Sequence, residues 1–123
     1  MPLGSITPIL RIFDEEKAID FYVAYLGFTI DWRHRFSDDH PLYVQASRDG
    51  CVIHLSEHHG DATPGAAIRI RTDALDAFRA ELKGRRSRFV KPSIKTAPWG
   101  ERSMSFADPF GNRLTFFEPR AAT

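Results

Sequence analysis

Val52, His54, Ser56 and His58 share one side of a short apolar run, and Ile53 and Leu55 share the other. If Ile53 and Leu55 pack on a helix, His54 and Ser56 point away from it, into whatever cleft the sheet lines. Two readings of His54 stand side by side: an imidazole hydrogen-bonded within a sheet, or one that touches a ligand directly. The segment His54-Leu55-Ser56-Glu57-His58-His59-Gly60-Asp61 is rich in donors. Strand alternation sends neighbouring side chains to opposite faces, and the spacing matches no zinc pattern. A solvated polar loop after His58 is the plainer account. The chain offers no Ser-His-Asp grouping, no paired carboxylates on opposing strands and no glycine-rich phosphate loop.

Aromatic residues supply the other candidates. Trp99 lies between Pro98 and Gly100, where it serves either as a loop anchor over the core or as a stacking surface for a flat ligand. Trp32 and Phe36 fall on an alternating segment and on that pattern read as plain core. Arg11 has the parity of Thr7, so it is either a polar anchor in a cleft or half of a rim ion pair.

The elements that must hold these residues follow from periodicity. Ile6 to Ile12 reads as a strand. Asp14 caps a helix whose first turn carries Glu15 and Glu16, and Ala18, Phe21, Tyr22, Tyr25 and Leu26 form its apolar face up to Gly27. Phe28 to Phe36 alternates, with Phe28, Ile30, Trp32, His34 and Phe36 expected on one face. Leu42 to Ser47 and Cys51 to Glu57 form a hairpin about Arg48-Asp49-Gly50. The order then repeats. Ala66 to Arg71 is a strand. Asp73 caps a helix with Leu75, Phe78 and Leu82 inward and Gly84 at its end. Phe89 to Ile94 is an edge strand broken by Pro92. Arg102 to Ala107 and Leu114 to Glu118 flank the turn Asp108-Pro109-Phe110-Gly111-Asn112. The fold class is α+β: one domain over residues 1–123, built of two βαβββ modules, about 5–61 and about 66–119, with helices on one face of each sheet.

At 123 residues, with 42% hydrophobic and 27% charged residues, the chain suits one globular domain. A net charge of +1 argues against nucleic acid and acidic membranes as partners. The lone Cys51 excludes an internal disulfide, and no apolar run spans a bilayer, so a reducing, cytoplasmic setting is expected.

Phe21-Tyr22 with Leu26-Gly27-Phe28, the Asp108 to Asn112 turn with Leu114-Thr115-Phe116-Phe117-Glu118, and Pro98-Trp99-Gly100 resemble three signatures of the vicinal-oxygen-chelate superfamily. This is the glyoxalase/bleomycin-resistance/dioxygenase group, and the last motif is similar to its bleomycin-resistance branch. The resemblance implies a partly open, sheet-lined cleft completed in a homodimer. It also implies that metal-bearing relatives place ligands at the positions of Thr7, His54, Ala67 and Thr115, of which His54 alone is a competent ligand. No cofactor is therefore expected. The expected function is sequestration of a small molecule, of the bleomycin class or less charged, by Arg11, Trp32, Phe36, His54, Ser56, Trp99, Thr115 and Phe117. The alternative is a lyase, isomerase or dioxygenase whose divalent metal is held by rearranged ligands such as His54, Glu57 and His58.

Overall fold

The computed structural model describes residues 2–85 and 91–119. The chain divides into two compact units, Met1–Pro64 and Gly65–Thr123. In the first, the order is β1 (Ile9–Arg11), α1 (Glu15–Ile19), a π-helical segment (Asp20–Tyr25), β2 (Thr29–His34), β3 (Tyr43–Arg48) and β4 (Cys51–Ser56). In the second it is β5 (Ala67–Arg71), α2 (Leu75–Lys83), β6 (Lys95–Thr96), β7 (Arg102–Ala107) and β8 (Arg113–Glu118). The sheets run β1-β4-β3-β2 and β5-β8-β7-β6, the same topology twice. In each, the first strand pairs parallel to the last, and the other neighbours pair antiparallel.

Local chemistry explains the first unit. The Lys17 amide donates to the Asp14 carboxylate at 2.9 Å, so Asp14 caps α1 as its sequence position predicts. The helix does not continue as α. It widens at Asp20–Tyr25, where the Leu26 amide reaches back five residues to the Phe21 carbonyl. Phe21, Tyr22 and Tyr25 are all buried there, with Phe21 and Tyr22 packed edge to face at 5.0 Å. Ile53 and Leu55 of β4 are buried on the same side. The β3–β4 hairpin turns through Asp49 and Gly50, both at positive φ, the conformation that a two-residue Asp-Gly turn requires.

Several expectations need correction. The first strand starts at Ile9 rather than Ile6, because its parallel ladder begins where Ile9 meets His54 and Pro8 has no amide to extend it. Thr7 is exposed and outside the strand. The strict alternation from Phe28 to Phe36 breaks at Asp31, where the register shifts between Ile30 and Trp32. Ile30 thus lies opposite Ala46 on the helix side, while Trp32 lies opposite Gln45 on the open side.

In the second unit, Asp73 does not cap α2. The Thr72 hydroxyl accepts from the Ala74 amide and the Glu118 carboxylate accepts from the Leu75 amide, so donors at the helix start are met from elsewhere. Asp76 forms no capping box and pairs with Arg102 instead. Of the expected strand from Phe89 to Ile94, residues up to 90 lie outside the described residues and 91–94 form no strand. The edge is Lys95–Thr96. The Asp108 turn is as expected: its buried carboxylate accepts from the Phe110 and Asn112 amides and the Asn112 side chain, each at 2.8 Å. No helix among the described residues is long and apolar enough to cross a membrane.

Candidate functional site

The open face of the first sheet carries Trp32, His34 and His54. Strand register puts Trp32 of β2, Gln45 of β3 and His54 of β4 in one row across the sheet, with His34 and Tyr43 paired in the next. The Trp32 and Tyr43 rings stack, with centroids 5.9 Å apart and planes 12° from parallel. His54 stands edge-on to both, at 5.4 Å from Trp32 and 5.2 Å from Tyr43. Trp32 remains 43% exposed, so the wall keeps a free surface.

Beneath the aromatic surface runs a polar chain whose direction is set at one end. The bulge at Asp31 puts its carboxylate within reach of the open face, where it accepts from Gln45 Nε2 at 3.1 Å and Ser47 Oγ at 2.9 Å. That orients the Gln45 amide, whose Oε1 then accepts from His54 Nε2–H at 3.0 Å. In the neutral imidazole His54 Nδ1 is then the acceptor and takes the Tyr43 O–H at 2.7 Å. Both imidazole nitrogens are engaged. Burial first, and the negative charge of Asp61 second, push the Tyr43 phenol above its usual value, so it remains a neutral donor.

The remaining candidates sort by unit. Arg11 pairs across from Ser56, donates to the His58 carbonyl at 3.0 Å and lies over the Phe13 ring at 4.8 Å. Ser56 shares the parity of His54 but is not offered to a ligand. It is fully buried, donates to Asp61 at 2.6 Å and accepts from the His58 amide, because the His58 to Asp61 turn folds over it. Phe36 lies past the end of β2, 76% exposed, beside the His34 and His40 rings. In the second unit, Thr115 shares a hydrogen bond with Ser105, and Phe117 lies under the Arg69 guanidinium at 4.3 Å. Trp99 sits exposed in the turn closed by the Ala97 and Glu101 backbones.

The rearranged metal set does not converge. Glu57 lies on the helix side, accepting from the Leu42 amide and from Arg35, whereas His54 faces the open side. No cluster of three or more His, Cys, Asp or Glu side chains suited to a metal occurs among the described residues. Sequence pattern alone does not mark Asp31, Tyr43 or Gln45. Gln45 and Tyr43 were findable from hairpin register about Asp49-Gly50, but the Asp31 bulge left no signal in the alternating pattern.

Comparison with known proteins agrees with this architecture. A family profile described as glyoxalase superfamily protein matches residues 2–122. An antibiotic-binding protein from Streptomyces sp. CB03234 is 28% identical, with 97% of this chain and 98% of that one covered and a TM-score of 0.73. A bleomycin-binding protein in complex with bleomycin is 22% identical over 96% of this chain and 100% of the other, TM-score 0.69. A lactoylglutathione lyase from Agrobacterium tumefaciens is 17% identical over 95% of each chain, TM-score 0.72. The last two likenesses are of fold. No curated protein matches the chain.

Proposed function

The chain belongs to the glyoxalase superfamily, and from that premise we propose that it binds and sequesters a small, flat molecule on the open face of its first sheet. The observation that carries the reading is the Trp32–Tyr43 stack with a partly exposed indole, held in place by the Tyr43–His54–Gln45–Asp31 hydrogen bonds. Stacking on a rigid aromatic wall adds about 0.5–1.5 kcal/mol per ring beyond simple burial. The wall is already assembled, so little ordering cost is left for binding.

The same reading takes the site to work without a metal. At the positions where metal-bearing relatives are expected to hold ligands, this chain has an exposed threonine, an alanine, a threonine bonded to Ser105 and a histidine with both nitrogens engaged. That donor set does not suit a divalent cation, which needs about three or four protein ligands. A homodimer remains part of the proposal on the strength of the resemblance. The antibiotic-binding relative supports an antibiotic as the ligand class.

The test is a tryptophan fluorescence titration of chelator-treated protein with bleomycin, on the native chain, Trp32→Ala and Trp99→Ala. Saturable quenching near one ligand per chain, weakened about tenfold, or 1.4 kcal/mol, by Trp32→Ala is the expected result. Unchanged affinity in Trp32→Ala would overturn the assignment of the wall. No response of the native chain would remove bleomycin as the ligand.

A further inference from the structure

The Tyr43–His54–Gln45–Asp31 chain ends on a group that has no choice of role. Asp31 Oδ2 accepts from Gln45 Nε2 at 3.1 Å, and Asp31 Oδ1 accepts from Ser47 Oγ at 2.9 Å. An ionised carboxylate has no proton to give. A flipped Gln45 amide would set its oxygen against that carboxylate and forfeit a charge-assisted bond. Gln45 Oε1 therefore faces His54 Nε2, at 3.0 Å, and calls for a proton there. In the neutral ring Nδ1 is then the acceptor, and the Tyr43 O–H is the donor that meets it at 2.7 Å.

The two middle links carry no preference of their own. An amide reverses by a half turn, and a neutral imidazole reverses by moving its proton to the other nitrogen. The direction of the whole chain is thus decided at the exposed Asp31, two residues away from the half-buried Tyr43 edge of the wall. Asp31→Asn keeps the shape and changes the choice. Its amide oxygen can accept from Ser47, while its nitrogen donates to Gln45 Oε1. The Gln45 amide then turns, His54 carries its proton on Nδ1, and the Tyr43 oxygen becomes the acceptor. The phenol proton is released toward the open face.

We propose that Asp31 is a positioning residue that sets the ligand specificity of the aromatic wall from a distance. Relayed through Gln45 and His54, its carboxylate makes Tyr43 present an acceptor. The wall then selects flat molecules with an N–H or O–H at their edge over those with a bare ring nitrogen. The specificity rests on the wall being the binding surface, as proposed above; the direction of the relay does not.

The test is nitrogen NMR of the His54 ring in the full chain, at a pH above which its resonances no longer move, so that the ring is neutral. The samples are the native chain, Asp31→Asn, Gln45→Ala and the double variant. The proton is expected on Nε2 in the native chain and on Nδ1 in Asp31→Asn. With Gln45→Ala the relay is cut, and adding Asp31→Asn then changes nothing. The native chain and Asp31→Asn are also titrated with indole, which offers an N–H, and with isoquinoline, a bicycle of similar area with a bare nitrogen. The native chain should prefer indole about fivefold, the worth of one neutral hydrogen bond, and Asp31→Asn should prefer isoquinoline by a similar factor. A proton that stays on Nε2 in Asp31→Asn overturns the relay. A shift that persists in the Gln45→Ala background overturns its route, since Asp31 would then act through its charge alone. A reversed ring with an unchanged order of the two probes overturns the specificity. A reversed ring in a chain that binds neither probe overturns the wall as a site, and the specificity with it.

Discussion

The Tyr43 hydroxyl and His54 Nδ1 lie 2.7 Å apart on adjacent antiparallel strands, and against a neutral imidazole the phenol is the donor. That direction is inherited through Gln45 from the Asp31 carboxylate, which accepts and cannot donate when ionised. What Tyr43 has left to show a ligand is its oxygen lone pairs. The wall therefore favours flat ligands with a hydrogen-bond donor at their edge.

Tyr43→Phe keeps the stack and deletes the donor. The expected cost is about 1 kcal/mol of stability, read as a lower urea midpoint with unchanged slope. Because the Tyr43 phenol is raised in the folded chain, its share of stability is complete below the unfolded value of about 10 and is lost as pH rises through the folded one. Tyr43→Phe should flatten that alkaline decline. An unchanged decline would mean that other groups cause it.

Arg102 donates two hydrogen bonds to the Asp76 carboxylate, at 2.9 and 2.6 Å, and holds it below its usual range. A lowered carboxylate contributes stability above its unfolded value, about 3.9, and loses it as pH falls through the folded value. Arg102→Gln should thus lower the melting temperature at neutral pH, with the gap to the native chain closing on acidification. A gap that stays constant into acid would show that Arg102 acts through packing.

Burial pushes the Cys51 thiol up, so little thiolate is present at neutral pH. Iodoacetamide should modify the folded chain more slowly than the urea-unfolded chain, with onset at higher pH. Equal rates in both states would refute the shielding.

Asp108 satisfies three donors inside the last turn. Asp108→Ala removes the acceptor shared by the part-buried Phe110 amide and the buried Asn112 groups and should cost about 1–3 kcal/mol, enough to be seen as a drop in melting temperature. Asp73→Ala, at the position where no cap forms, should change it little.

Much of the architecture was legible because period and punctuation agreed. Asp14 capped its helix, Asp49-Gly50 made the hairpin, and Asp108 to Asn112 made the turn before the last strand. Legibility failed where one residue could serve two geometries. Asp73 looked like a cap, but Thr72 and Glu118 supplied the acceptors. The helix through Phe21 and Tyr22 kept an apolar face that does not distinguish an α turn from a π turn. Ser56 had the right parity for a cleft, yet parity says nothing of the turn that folds over it.

Local periodicity and residue identity were enough for the repeated βαβββ order and for the helix-side packing of Ile53 and Leu55. Which polar side chains meet was set by the packed sheet. The bulge at Asp31 turned Trp32 to the open face, away from the side of Ile30, and gave the hydrogen-bonded chain its direction. A single added residue in one strand shifts register against its neighbour, and that displacement exists only once the neighbour is in place.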